Sequence, residues 1–277
     1  MQTHRLLYLC PMAKVHQDSR AAAAPPQLEV IMRRSPSREE LLELIPTVEF
    51  LYSERAWPVD RKLIDAGRRS LRLIQRIGSL TYDIDLAAAQ EAGVPVAKWP
   101  IRSCIMVAEH MLTQMLAVSK RVLEMHSVAT NRKTWERESK RTDEDTFAYN
   151  WSGRTGINRL WQKTVGILGF GEIGAELSRR LKGFDVRVLY NKRRPLPSHV
   201  EQELGLIYAD PETVLRDSDF ICSLLPYTPE TDLYLNAERL AMMRPGAILV
   251  HCGSGSVIDE AALAEALRQG HLYGAAL

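Results

Sequence analysis

Val165-Gly166-Ile167-Leu168 runs directly into Gly169-Phe170-Gly171-Glu172-Ile173-Gly174, and this is the stretch that decides the fold. The first four residues read as a short buried strand. After the glycines Ile173, Leu177 and Leu181 recur every four residues, which predicts a helix. Strand, G-x-G-x-x-G and helix in that order place a helix N-terminus, with its unpaired N–H groups and positive dipole end, where the phosphates of a dinucleotide would sit. Gly169 is expected to make the tight turn and Gly171 to let backbone approach a pyrophosphate. Gly174 is expected to let helix and strand pack closely. Without its flanks the motif would read as a glycine-rich turn of no function; the strand before it and the helix after it argue for binding.

Val186 to Tyr190 predicts the next strand, and about 20 residues after such a loop an acidic side chain would hydrogen-bond the ribose of NAD. Asn191-Lys192-Arg193-Arg194 stands there instead. A carboxylate would repel a 2′-phosphate, whereas an amide and three cations accept its charge, so NADP is favoured over NAD. A solvated basic loop that tolerates either cofactor is the alternative.

Upstream, Arg5 to Cys10, Leu28 to Met32, Val48 to Tyr52, Leu71 to Gln75 and Val94 to Ala97 read as strands alternating with helices, the pattern of a covered parallel sheet. Ser37 with Glu40 reads as a capping box. Ile105 to Met125 reads as one long helix, apolar round too much of its circumference to face water on any wide side, so it lies between domains or in a subunit interface. His110 within it is expected to pack or to join that interface. Asn131 to Gly156, with Lys140, Arg141, Asp143, Glu144 and Asp145, reads as an exposed excursion, and Ala21 to Pro26 as a loop.

A length of 277 residues suggests two domains, and 36 basic against 34 acidic side chains argue against a nucleic-acid partner. Cys10, Cys104, Cys222 and Cys252 lie far apart with no metal-ligand spacing, so no metal is expected and reduced thiols in a cytoplasmic protein are the simplest reading. The apolar run Leu6 to Cys10 is too short for a signal-peptide core, and no stretch is long enough to cross a membrane.

From about Val48 onward the sequence resembles the D-isomer-specific 2-hydroxyacid dehydrogenase family. The resemblance is carried by Asp83-Ile84-Asp85-Leu86-Ala87-Ala88-Ala89, Gly93-Val94-Pro95-Val96, Val107-Ala108-Glu109-His110 and the phosphate loop. It continues in Leu225-Pro226-Tyr227-Thr228-Pro229-Glu230-Thr231, Met243-Arg244-Pro245-Gly246-Ala247 and Asp259-Glu260-Ala261-Ala262-Leu263. It implies an α/β chain with a flavodoxin-like substrate domain, residues 1–100, and a Rossmann dinucleotide-binding domain, residues 101–277. It also implies a homodimer built on the nucleotide domains, and hydride transfer between nicotinamide and the carbon of a 2-oxo acid of the glyoxylate or hydroxypyruvate sort. Pro226, Cys252, Gly253 and Ser254 join the phosphate loop and the basic segment as cofactor contacts, and Ser79 and Leu80 stand at the substrate loop.

The same comparison marks departures, because the chemistry needs a cation for the substrate carboxylate and an acid for the developing alkoxide. His251-Cys252-Gly253-Ser254-Gly255 replaces the family's turn, with Ser254 at the arginine position; a hydroxyl has no charge and no bidentate fork. Lys98 stands where asparagine is common, and Ser79-Leu80-Thr81-Tyr82 departs from the usual glycine-rich substrate loop. The chain stops at Leu277, inside the strand that in the family leads to an aspartate, a glutamate and the catalytic histidine, so a C-terminally truncated reading frame, with exposed edges, is expected. His251 is the one residue in hand that could replace the missing acid, although a hydrogen-bonded structural histidine is the simpler role. Cys252 is read as a backbone contact before a reactive thiol, and His271, after Gly270 at a helix end, as exposed. Two functions follow: an NADP-dependent oxidoreductase, or a cofactor-binding protein without turnover in which NADP(H) sets dimerisation or partner binding.

Overall fold

The computed structural model describes residues 3–54, 57–131, 143–145 and 154–277. Backbone contacts divide the chain into two units, Met1–Cys104 and Ile105–Leu277.

In the first unit the elements alternate: β1 (His4–Leu9), α1 (Lys14–Ala22), β2 (Leu28–Arg33), α2 (Arg38–Leu44), β3 (Phe50–Ser53), α3 (Arg61–Ala66), β4 (Leu73–Ile77), α4 (Leu86–Glu91) and β5 (Val96–Trp99). All strand pairings are parallel, in the order β2-β1-β3-β4-β5. That is the flavodoxin-like order. Leu7, Leu9, Leu51 and Ile74 project from the sheet into a core closed by Leu41 and Ile64 from the helices. Each such side chain contributes about 1.5–3 kcal/mol by leaving water.

Three strands begin two residues later than their apolar runs. Val48, Leu71 and Val94, which open those runs, are buried but precede the strands. Apolar periodicity reports burial, whereas the ladder starts where the backbone reaches its neighbour. The Ala21 to Pro26 tract is likewise a loop only after Ala22, because α1 runs to that residue.

Half of the expected capping box forms. Ser37 accepts the Glu40 N–H at 3.1 Å, but the Glu40 carboxylate turns to Arg33 Nε at 2.5 Å instead of returning to the cap. Charge attraction to a neighbouring strand wins over a single local hydrogen bond. Asp60 and Asp85 cap α3 and α4 through Leu63 N at 3.0 Å and Ala88 N at 2.8 Å, each worth about 1 kcal/mol.

The helix α5 (Arg102–Ser119) carries the chain into the second unit, followed by α6 (Val122–Thr130), β6 (Thr164–Leu168), α7 (Glu172–Leu181), β7 (Arg187–Asn191), α8 (Ser198–Leu204), β8 (Leu206–Tyr208) and α9 (Pro211–Asp217). Then come β9 (Phe220–Ser223), α10 (Ala237–Met242), β10 (Ala247–His251), α11 (Glu260–Arg268) and β11 (Leu272–Ala276). The six strands are parallel in the order β11-β10-β9-β6-β7-β8. This is the doubly wound dinucleotide-binding order, and the strand order reverses between β6 and β9.

The single long helix is corrected to two. Arg121, at φ +53°, separates α5 from α6. One left-handed residue costs about 1–2 kcal/mol and leaves the apolar pattern on either side untouched, so periodicity does not reveal it. The buried stripe of α5 is Ala108, Met111, Met115 and Ser119; Met115 Sδ lies 3.8 Å from Cys222 on β9. Met106, Val122 and Leu123 face solvent, as does His110. Of the charged excursion, Lys140 and Arg141 lie outside the described residues, and Asp143, Glu144 and Asp145 are exposed. Among the described residues no helix is long and apolar enough to cross a membrane.

Candidate functional site

Three loops leave the carboxyl ends of β6, β9 and β10 and meet at the backbone of Leu225. The phosphate loop does so through Gly169, whose φ is +81° and whose Cβ, if it had one, would stand 2.8 Å from Leu225 N. Left-handed backbone and a facing main chain together exclude any other residue there. Beside it Leu224 N donates to Leu168 O at 2.8 Å. At Gly171, by contrast, a Cβ would meet nothing within 4 Å. The space above the loop is open, as a pyrophosphate resting on backbone requires.

Gly174 has a different reason from the one expected. A Cβ there would meet the Phe170 ring at 2.9 Å, so its absence seats the aromatic of its own loop and not the neighbouring strand. Phe170 in turn packs on Tyr190, ring centroids 4.9 Å apart. Gly171 caps α7 with no side chain, so backbone N–H groups make up the positive end of this ten-residue helix. Glu172 is 5 % exposed, so its side chain is turned away from solvent. Ile173 is half-buried, while Leu177 and Leu181 anchor the helix in the core.

Between the phosphate loop and the ends of β7 and β9 lies a cavity of about 640 Å³. Lys192 and Arg193 line one wall; Pro226, Thr228, Glu230 and Tyr234 line another. Arg194 is exposed outside that lining. Asn191 is committed internally: its Nδ2 donates to Ala209 O at 2.8 Å, and its carbonyl accepts the Phe170 N–H at 3.0 Å. It joins β7 to the phosphate loop.

The turn after β10 forms a second cavity of about 290 Å³, with His251, Cys252, Gly253, Gly255 and Glu260 on its walls. Ser254 N donates to Leu225 O at 3.1 Å, and a Cβ on Gly253 would stand 2.4 Å from that same carbonyl. His251 is 6 % exposed, and its Nε2 donates to Ser254 O at 3.0 Å. A carbonyl only accepts, so Nε2 carries the proton and Nδ1 the lone pair. Burial pushes the His251 pKa below its ordinary value against the smaller opposing effect of that hydrogen bond, so the ring is neutral at neutral pH. Burial likewise raises the Cys252 thiol, whose Sγ lies 3.5 Å from Gln114 Oε1. A protonated thiol is a poor nucleophile.

Residues 112–277 match the D-isomer specific 2-hydroxyacid dehydrogenase NAD-binding domain. The chain belongs to this family. A glyoxylate reductase of Pyrococcus furiosus is 34% identical over 240 residues, covering 87% of this chain and 68% of its own length. A hydroxypyruvate reductase of Thermotoga maritima is 32% identical over 241 residues, 87% of this chain and 72% of that one. Among solved structures, a Pyrococcus horikoshii protein aligns over 99% of this chain and 77% of its own, with TM-score 0.57 and 28% sequence identity. The second unit is therefore the nucleotide domain of a 2-hydroxyacid dehydrogenase, and its cofactor is a nicotinamide dinucleotide.

Among the described residues the one charged side chain lining the His251 cavity is Glu260. Ser254 supplies no cation. His271 corrects another expectation: it is half-buried, with Nε2 enclosed, because the turn before β10 folds over it through Gly246 N to His271 O at 2.7 Å. In the first unit Ser79 is half-buried, the Leu80 side chain is 4 % exposed, and Lys98 is exposed.

Sequence reasoning missed the residue that holds that loop. Arg76 is fully buried; its Nε donates to Asp83 Oδ1 at 3.1 Å and its Nη1 to Ser53 O at 3.0 Å, so the carboxyl ends of β3 and β4 are tied to the segment carrying Ser79 and Leu80. An arginine between the strand-like run Leu71 to Gln75 and the apolar Ile77 was the available signal.

Proposed function

We propose that the chain binds NADP(H) in preference to NAD(H) and serves hydride transfer between its nicotinamide and a small 2-hydroxy or 2-oxo acid of the glyoxylate or hydroxypyruvate type. The observation that carries this reading is the pair Lys192 and Arg193 lining the cavity beside the phosphate loop, at the end of β7 where a carboxylate would select NAD. The open ground over Gly171 fits the pyrophosphate. When bound, the cofactor supplies or accepts the hydride. Ser79 and Leu80, in a substrate domain formed by the first unit, are the proposed substrate contacts; Pro226, Cys252, Gly253 and Ser254 extend the cofactor contacts.

Ser254 favours a second reading, cofactor binding without turnover. Serine stands where the resemblance implies arginine, His251 is neutral and engaged with the Ser254 carbonyl, and among the described residues the second cavity has Glu260 as its one charged side chain. A homodimer built on the nucleotide domains accords with the exposed apolar side chains Met106, Val122 and Leu123. The four free cysteines accord with a cytoplasmic location.

Fluorescence titration with NADPH and NADH, followed by glyoxylate and hydroxypyruvate turnover on the same sample, separates the readings. Tight NADPH binding with turnover supports the enzyme and puts His251 first for mutation. NADPH binding without turnover supports the second reading, and failure to bind either cofactor overturns both.

A further inference from the structure

We infer that Glu230 is a specificity-determining residue that opposes the 2′-phosphate, so that the cavity's preference for a phosphorylated ribose is set by Lys192 and Arg193 against one exposed carboxylate on a fixed turn. The inference rests on the reading of this cavity as the adenosine side of a dinucleotide site. Lys192 and Arg193 enter it from the end of β7, and Glu230 enters the same space from the turn that follows β9. That turn is rigidly built. Thr228 N donates to Thr231 Oγ1 at 2.7 Å, Thr231 Oγ1 donates to Pro226 O at 2.7 Å, and Thr228 and Thr231 cap the short helical turn Pro229–Thr231 reciprocally. Glu230 therefore has little freedom to withdraw by backbone movement.

The Thr228 hydroxyl and then its own backbone N–H hold the Glu230 carboxyl below the usual carboxylate range, and Arg193 adds to the effect. The group is negative whenever a nucleotide arrives. A 2′-phosphate brings about −1.5 to −2 charges into a space already holding that carboxylate, whereas a bare 2′-hydroxyl brings none. Repulsion by Glu230 thus falls on one cofactor and spares the other. Glu230 also weakens the positive field that Arg193 presents to a 2′-phosphate.

Adenosine 2′,5′-bisphosphate and 5′-AMP differ only in the group at issue, and both can be titrated into the full chain by calorimetry at low salt. Glu230→Gln is expected to tighten the bisphosphate about three- to tenfold while leaving 5′-AMP within about twofold, and Glu230→Lys to widen the gap further. The gain should fade in about 1 M salt, where the Debye length is about 3 Å. Equal shifts for both ligands, or none, would overturn the role of Glu230. Wild-type chain that binds both ligands equally, with the bisphosphate still gaining in Glu230→Gln, would remove the NADP(H) preference and keep Glu230; binding of neither ligand to any variant would end both.

Discussion

The two cavities of the nucleotide domain are built on the same backbone hub and differ in their charges. Among the charged side chains of the described residues, the one beside the phosphate loop has Lys192, Arg193 and Glu230 on its walls, and the one beside His251 has Glu260. Both touch strand ends of one parallel sheet, and in both a glycine, Gly169 or Gly253, lets main chain pass within reach of Leu225. The architecture that gathers loops at the carboxyl edge is therefore intact on either side of Leu225. Only the side chains differ. The sheet and its glycines thus fix where the two cavities lie, and the loop side chains alone fix the charge each presents.

The largest effect should come from breaking the shared hub. Gly169→Ala forces a Cβ to within 2.8 Å of Leu225 N at φ +81°, so NADPH binding, read by fluorescence titration, should weaken about a hundredfold or be lost. Near-normal affinity would show that the phosphate loop is not where the cofactor rests. Next, Ser254→Arg adds a cation to the turn whose Cys252, Gly253 and Gly255 line the second cavity. A charge-assisted pair is worth about 1.5–3 kcal/mol, so oxamate should bind the NADPH-loaded variant about ten- to a hundredfold more tightly than it binds the parent. No gain would show that a cation at position 254 does not reach the bound acid.

Arg193→Ala sharpens the first cavity: the ratio of NADPH to NADH affinity should fall about tenfold, chiefly through NADPH. A parallel loss for both cofactors would reduce Arg193 to a general phosphate attractor. The smallest effect concerns His251. Because burial lowers its folded pKa from 6.5, the unfolded chain takes up the proton first; the stability of the neutral ring is whole above about pH 6.5 and is lost as the pH falls toward the lowered value. Melting curves of the parent should therefore approach those of His251→Asn by a few degrees between about pH 8 and pH 5. A constant difference would mean that the ring is not buried as a neutral group.

Much of this was legible along the chain, and for identifiable reasons. Strand, G-x-G-x-x-G and helix are contiguous, so Val165 to Leu181 could be read without any partner. Several segments that carried the family resemblance are folding devices: Asp85 and Asp259 cap helices through Ala88 N at 2.8 Å and Ala262 N at 2.9 Å, and Thr228 with Thr231 fixes the turn that presents Glu230. Arg121 escaped because a single backbone angle leaves no mark on apolar spacing. Gly174 was given the wrong neighbour for a related reason, since only packing reveals that Phe170 folds back over its own loop.

By itself the sequence determined the two parallel α/β units, the phosphate loop and the basic segment after β7, because each is a matter of local order and residue type. Tertiary structure alone decided that Asn191 spends its amide on Ala209, that His251 donates to the Ser254 carbonyl, that Arg76 ties three segments together, and that Glu230 shares a cavity with Lys192 and Arg193. Hydrogen-bond partners and facing charges depend on distances between segments far apart in the chain, and those distances exist only once the sheets have closed.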